Sequence, residues 1–208
     1  TVMIVIFSLL LSFTEIYDSP FFSNFWCVYC FAIYGSVLLS KIMCYEGNYI
    51  DCLMVRKEHI VTLLQAKYYL YSALLLLPFL LMLPTVFTGK CSLLMLIAYA
   101  VFTAGVEYFL FFQMAIYNKQ TMPLNTKFIG KGAMENNYLQ VVVQLVIFTF
   151  PIFYVMSLQA LFSEVVAYSI TLLTGLVFIA LHKLWIRNIY TRLMRRRYEN
   201  MEGLRSSR

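Results

Sequence analysis

Charged residues are scarce in this sequence, and their scarcity indicates the class of protein. Of the 208 residues, 12% are charged and 62% are hydrophobic, and the mean hydropathy is +0.76. A soluble domain of this size carries about a quarter charged residues, so the composition excludes an ordinary soluble enzyme or binding domain. The chain is therefore expected to be an integral membrane protein.

Two further patterns are missing from the sequence. The apolar runs are continuous and Leu-rich and lack the period-two alternation of barrel strands, so strands are not expected. There is no G-x-x-x-x-G-K-[ST] phosphate loop, so the chain is not expected to hydrolyse ATP unaided or to be an enzyme. These absences, together with the apolar runs, predict an all-α, polytopic membrane helical bundle that forms one domain over residues 1–208.

The apolar runs predict about six membrane spans. Five runs have about the 20 residues that a spanning helix needs, at roughly 22–43, 68–88, 91–117, 138–158 and 165–186. A sixth run, 1–14, has no initiating Met and no basic n-region, so it is a poor signal peptide. We interpret it as the truncated end of a span that belongs to a longer chain.

The positive charges predict the orientation of the spans. If the first run leaves the cytoplasm, then 44–67, 118–137 and the basic tail 187–208 lie inside, and 15 of the 16 Lys and Arg residues lie at the inner side. Lys90 is the exception. The positive-inside rule therefore predicts a multi-pass protein of the cell (inner) membrane with both visible ends in the cytoplasm.

The inner segment between the second and third spans has the pattern of a short surface helix followed by a new helix. On a helical wheel Tyr49, Ile50, Leu53 and Met54 share one face, and Asn48 and Asp51 lie opposite. Arg56 and Lys57 are predicted to mark the break before the helix that enters the third span. The alternative interpretation is a solvated connector between two spans.

This segment, "EGNYIDCLMVRKEHIVTLLQAK", resembles one found between the second and third spans of ABC-2 type permeases. Glu46 and Gly47 open it, Asp51 stands at an acidic position, Leu53 and Met54 form the apolar pair, and Lys67 closes it. The six-span layout with both ends inside is also similar to that family, so the likeness covers the visible chain in layout and about 22 residues in motif.

The resemblance implies a coupling helix that docks on a separate cytoplasmic ATPase subunit and passes its closing motion to the spans. Its residues would be Glu46, Gly47, Tyr49, Ile50, Asp51, Leu53, Met54, Arg56 and Lys57. ATP would act through the partner, with no cofactor bound to this chain directly. The expected assembly is a homodimer or pseudo-dimer in contact with membrane lipids, and the expected activity is export. A non-transporting membrane scaffold or assembly factor is a second hypothesis.

Polar residues inside the apolar runs form a candidate intramembrane polar site: Glu107, Gln113, Gln140 and Gln144. An ionised carboxylate near the middle of a span costs a few kcal/mol, so Glu107 must be protonated, paired or facing a wet cavity. A hydrogen bond from Gln144 or Gln113 is the favoured pairing, and a proton or substrate site is the alternative. Gln140 and Gln144, four residues apart, should face into the bundle.

Cysteine supports a third hypothesis. Cys27 and Cys30 form a C-x-x-C near the predicted outer face, where a membrane thiol oxidoreductase could use them, although Cys91 has no visible partner there. His59 and His182 are too far apart in the sequence to predict a metal site.

The tail combines apolar residues at helical spacing with arginines, which is typical of a surface helix at an anionic inner leaflet or of a topology anchor. Nucleic-acid binding is not expected for a basic cluster set against a membrane.

Overall fold

The computed structural model describes residues 4–6, 8–9, 19–55, 57–117, 119, 121 and 138–206, and it describes only the backbone for residues 54–55, 57–59 and 139–140. Within these ranges every regular element is helical and there is no strand. The predicted all-α class is therefore confirmed for the described part of the chain.

The helices follow one another with short breaks. In chain order they are α1 (Pro20–Leu38), 3₁₀ turns at Leu39–Lys41 and Glu46–Tyr49, α2 (Ile50–Val55), α3 (Lys57–Leu74), α4 (Leu76–Phe87), α5 (Leu93–Phe102), a π-helical segment (Thr103–Glu107), α6 (Tyr108–Phe112), α7 (Met114–Tyr117), α8 (Tyr138–Leu161), α9 (Glu164–Ala180), α10 (His182–Arg195) and α11 (Arg197–Ser206).

Four helical stretches are long and apolar enough to cross a membrane: Pro20–Leu53, Ile60–Phe87, Leu93–Tyr117 and Val141–Leu161. A fifth is obtained if α9 and α10, which meet at a bend of 58°, count as one span. The described residues thus contain four or five candidate spans, whereas the sequence predicted about six. Most of the predicted first run, 1–14, lies outside the described residues.

Local sequence signals explain where several helices begin and break. The Ser19 side chain accepts a hydrogen bond from the Phe22 backbone N–H at 3.4 Å, and Pro20 stands at the first position of α1, where its missing N–H costs nothing. The break between α3 and α4 falls at Leu75. Pro78 explains it, because a proline leaves the carbonyl four residues earlier without its helical donor.

The apolar side chains divide into those packed in the interior of the bundle and those exposed on its outside. Phe31, Phe102 and Phe111 are buried in the centre, where α9 packs along α5 and the π-helical segment while α1 packs along α8. Leu76 and Phe153, in contrast, expose 64% and 68% of their surface. Large apolar side chains exposed along long helices are typical of surfaces that face lipid, since lipid tails are as apolar as leucine.

Candidate functional site

The segment predicted as a coupling helix consists of two short helices of different pitch. Residues Glu46–Tyr49 form a 3₁₀ turn that continues into α2. Tyr49 is 56% exposed, but Ile50 is fully buried and Leu53 is half-buried. This graded exposure is compatible with the predicted shared face, of which Tyr49 is one edge, and the side chain of Met54 lies outside the described residues.

An ion pair fastens the beginning of this segment to the third helix. The Lys67 Nζ lies 2.9 Å from a Glu46 carboxylate oxygen and also donates a hydrogen bond to the Ile42 carbonyl at 2.6 Å. The Lys67 and Glu46 side chains are only 14% and 24% exposed, so water screens the pair incompletely. Movement of the segment is thereby linked to α3 through this contact.

Gly47 allows the chain after α7 to approach the segment closely. A Cβ at Gly47 would lie 2.7 Å from the Thr121 hydroxyl oxygen, which is closer than real Cβ contacts allow. The same hydroxyl donates a hydrogen bond to the Leu204 carbonyl at 2.7 Å. Thr121 therefore joins the segment to the C-terminal helix, and the close approach supplies a structural reason for a glycine at this position.

The C-terminal helix α11 lies against α2. The Arg205 guanidinium binds the Asp51 carboxylate through two hydrogen bonds, of 2.7 and 3.0 Å. The two side chains are 58% and 40% exposed, so this contact positions α11 more than it stabilises the fold. Asp51, which the resemblance placed at an acidic position of the motif, thus has a partner that the sequence did not indicate.

The basic tail packs on protein. Ile186, Ile189 and Leu193 are buried, and α10 packs against α3, α6 and α7. The prediction that this apolar face would rest on the inner leaflet is therefore wrong for these residues, because the bend after α9 turns the face back onto the bundle. Arg192 is held there by a hydrogen bond of 2.9 Å to the Gln113 side-chain oxygen.

A second group of charges joins α11 to the end of the α7 region. Glu199 accepts hydrogen bonds from Lys119 and from Arg196, and these interactions, the Lys119 contact first, hold the pKa of the Glu199 carboxyl below its usual range. The Asn200 amide donates to the Ile116 carbonyl at 3.0 Å. Segments that the sequence placed on one side of the membrane, around 46–55, 116–121 and 182–206, therefore meet at one end of the bundle.

The predicted intramembrane polar residues do not form a single site. Gln144 donates to the Ser36 carbonyl at 3.3 Å, whereas Gln113 pairs with Arg192. Neither one bonds to Glu107, so the favoured pairing is wrong. The inward orientation expected for Gln144 agrees with its contact to α1, and the side chain of Gln140 lies outside the described residues.

Sequence reasoning missed a buried polar network at the opposite end of the bundle. The Asn24 side-chain oxygen accepts hydrogen bonds from the Tyr99 and Tyr168 hydroxyls at 3.0 and 3.2 Å, and Gln159 bonds to both Asn24 and Tyr168. The network joins α1, α5, α8 and α9. An asparagine and a glutamine near the ends of two apolar runs were the available signal, because buried amides require partners.

The cysteines near this network are closer together than their sequence positions suggest. The side chains of Cys27 and Cys91 lie next to each other, which gives Cys91 the neighbour that the sequence did not show. Cys27, Cys30 and Cys91 are all buried and free. The described residues contain no group of histidine, cysteine or carboxylate side chains arranged to hold a metal ion.

The residues that the structure describes are helical, four or five of their helical stretches are long and apolar enough to cross a membrane, and α2 and α11 meet at one end of these stretches. Residues 1–207 match the family described as "Family of unknown function (DUF5687)", and the chain belongs to that family. No curated protein and no solved structure matches the chain.

Proposed function

We propose that the chain is the membrane-spanning permease subunit of an ATP-binding cassette transporter of the ABC-2 type, and that it exports its substrate with energy from a separate cytoplasmic ATPase. In this proposal it spans the inner membrane about six times, with both visible ends inside, and works as a homodimer or pseudo-dimer. The resemblance of residues 46–67 to the permease motif is the starting point.

The observation that carries the proposal is the attachment of the Glu46–Val55 segment. It presents the exposed Tyr49 ring at the end of the bundle, while the Glu46–Lys67 pair fixes it to α3. A rigid attachment is what a lever requires, because a push on the segment then tilts the helix above it. A solvated connector would need neither the ion pair nor the close packing at Gly47.

The C-terminal helix extends the surface on which an ATPase would dock. Because Arg205 holds α11 beside α2, a partner that reaches Tyr49 would also contact the exposed side of α11. The docking surface in this proposal therefore consists of the Glu46–Tyr49 turn, α2 and α11. The tail contributes to the partner contact and not only to the orientation of the protein in the membrane.

Co-purification tests the proposal directly. The chain is tagged, solubilised in a mild detergent and purified, and any bound protein with a phosphate-loop ATPase sequence is identified by mass spectrometry. We expect such a subunit with the wild-type chain and a severalfold loss with Tyr49→Glu. Tyr138→Glu is the matched control, since Tyr138 is 83% exposed and lies outside the docking surface.

Failure to recover an ATPase with the wild-type chain, or equal loss with both variants, would contradict the permease proposal and favour the membrane scaffold.

The contact between Cys27 and Cys91 favours a second candidate function, the thiol oxidoreductase. The reactive pair would then be Cys27 of α1 and Cys91 of the turn before α5, and not the two cysteines of the C-x-x-C. A thiol oxidoreductase would lose its activity in Cys27→Ser and also in Cys91→Ser, whereas the permease proposal predicts that both variants still transport.

A further inference from the structure

Glu107 is buried inside the bundle with no polar partner on another described helix. It ends the π-helical segment, which lies within the candidate span Leu93–Tyr117, and only 1% of its surface is exposed. Among the described residues the one donor beside its carboxyl is the Thr103 hydroxyl, one helical turn earlier, and neither carboxyl oxygen has a well-aligned hydrogen bond. Buried polar groups are nearly always well hydrogen-bonded, so a buried carboxyl with a single hydroxyl of its own turn beside it requires an explanation.

The carboxyl faces the interface with α1. Eight residues before it, the Tyr99 hydroxyl donates to Asn24 of α1 at 3.0 Å. Four residues after it, the Phe111 ring packs against Gly35 of α1, where an added Cβ would lie 2.9 Å from the ring. Glu107 lies between these two contacts on the same face of the span, and the π-helical segment packs against α1.

The described helices packed against this carboxyl carry no cation that would neutralise it. The helices that pack against the π-helical segment are α1, α5, α6 and α9, and in these four helices the one charged residue is Glu164, at the start of α9. The titratable side chains whose charges would interact with Glu107 are Tyr99 and Tyr108. Their hydroxyl protons are donated elsewhere, from Tyr99 to Asn24 and from Tyr108 to the Tyr71 carbonyl.

An ionised carboxylate in such a place would have no countercharge on the helices packed against it and a single hydroxyl, that of Thr103, as a donor, and the low dielectric of the interior makes that state costly. A metal ion would need several oxygen ligands, whereas a proton needs one. We propose that Glu107 is an intramembrane proton-binding site: its carboxyl holds a proton in this closed packing and releases it when α1 separates from the π-helical segment and water reaches the carboxyl.

Proton binding at this site would make the movement of α1 relative to the span that carries Glu107 depend on the proton concentration. Separation of α1 from the span would allow the carboxyl to ionise, and reprotonation would be needed before the two helices close again. This inference does not rest on ATP-driven transport, because a proton-binding carboxyl at this position would serve a scaffold or a thiol enzyme equally as a conformational switch.

Infrared spectroscopy of the purified chain in lipid vesicles tests the proposal. At neutral pH we expect the carbonyl stretch of a protonated carboxyl in the wild-type chain, its loss in Glu107→Gln, and its retention in Glu164→Gln, which removes the charged residue at the start of α9. In D₂O the band should shift to lower frequency as the proton exchanges. Gel filtration of each variant checks that it is folded.

Two results would overturn the proposal. A wild-type spectrum without a band that depends on Glu107 would mean that the carboxyl is ionised at neutral pH. A band that is present but does not shift after prolonged incubation in D₂O would mean that the carboxyl never meets water, so that Glu107 is a sealed structural group and not a site that binds and releases protons.

Discussion

Glycine determines how closely α9 approaches the span that carries Glu107. A Cβ at Gly105 would lie 2.4 Å from the Gly175 carbonyl oxygen, and one at Gly175 would lie 2.7 Å from the Val101 carbonyl oxygen. These neighbours are backbone atoms, which cannot move aside as the end of a side chain can. Small residues at helix contacts are the usual means by which spans pack in lipid, where the hydrophobic effect does not drive association.

Replacement of Gly175 by alanine should therefore destabilise the bundle. We expect Gly175→Ala to lower the free energy of unfolding in detergent by about 1–3 kcal/mol, because overpacking forces the two helices apart. Thermal unfolding followed by intrinsic fluorescence measures this change. Gly203→Ala is the comparison, since the nearest atoms there, the Lys119 Cβ at 3.0 Å and its carbonyl oxygen at 3.3 Å, need to move by only a few tenths of an ångström, and alanine favours the helix.

A Gly175→Ala chain that unfolds at the same temperature as the wild type, or no more easily than Gly203→Ala, would contradict the close contact between α9 and the π-helical segment.

At the residue scale the sequence predicted which side chains are unusual but not which partners they have. Glu107, Gln113 and Gln144 stand out because they interrupt apolar runs. Their pairing depends on how far each helix is rotated and on which helix is its neighbour, and neither is encoded in a local pattern. Gln113 consequently binds Arg192, which is 79 residues away in the chain, and among the described residues neither Gln113 nor Gln144 pairs with Glu107.

At the scale of the element, the segment 46–55 shows how much a helical wheel can predict. The sequence predicted a short helical segment here and a helix that enters the next span, and the structure has both as α2 and α3. The predicted break at Arg56 lies outside the described residues. The wheel could not predict how far the segment is rotated about its axis, so that Ile50 enters the core while Tyr49, at the edge of the predicted face, remains exposed.

The ion pair between Glu46 and Lys67 should be a measurable link between this segment and α3. We expect Glu46→Gln and Lys67→Met each to lower the free energy of unfolding by about 1 kcal/mol, since each leaves a part-buried group without its partner. The double variant should lose less free energy of unfolding than the sum of the two single losses, with a coupling energy on the order of 1 kcal/mol. Denaturant titration of the wild type, the two single variants and the double variant completes this double-mutant cycle.

Asp51 and Arg205 provide a matched control on the same segment. Their side chains are more exposed, so solvent screens their attraction and a cycle with Asp51→Asn and Arg205→Met should give a coupling of about 0.5 kcal/mol or less. A larger coupling for the exposed pair than for Glu46 and Lys67 would mean that α11, and not α3, holds the segment. A push on the segment would then not tilt α3, which contradicts its proposed role as a lever.

At the scale of the whole molecule, composition was enough to predict a helical membrane protein, because long apolar runs have few other stable structures. The assembly of the inner segments was not predictable. Contacts such as Thr121 with Leu204, and Asp51 with Arg205, join residues 83 and 154 positions apart. They depend on the bend after α9, which no proline or glycine marks at Leu181.

Orientation in the membrane is the property on which the docking surface depends, and a native cysteine can report it. Cys52 is exposed, whereas Cys27, Cys30, Cys44 and Cys91 are buried. Because the charge distribution predicts that residues 44–67 lie in the cytoplasm, a membrane-impermeant maleimide should label Cys52 only after the cells are permeabilised. Mass spectrometry of the purified chain identifies the labelled residue, and Cys52→Ser should abolish the label.

A cysteine on the opposite side completes the measurement. Thr88 is exposed in the turn between α4 and α5, so Thr88→Cys in the Cys52→Ser background should be labelled in intact cells. If Cys52 is labelled in intact cells and the residue at 88 is not, the segment lies outside, beyond the reach of any cytoplasmic ATPase. The permease proposal would then fail, while the proton site at Glu107, which lies within the span, would be unaffected.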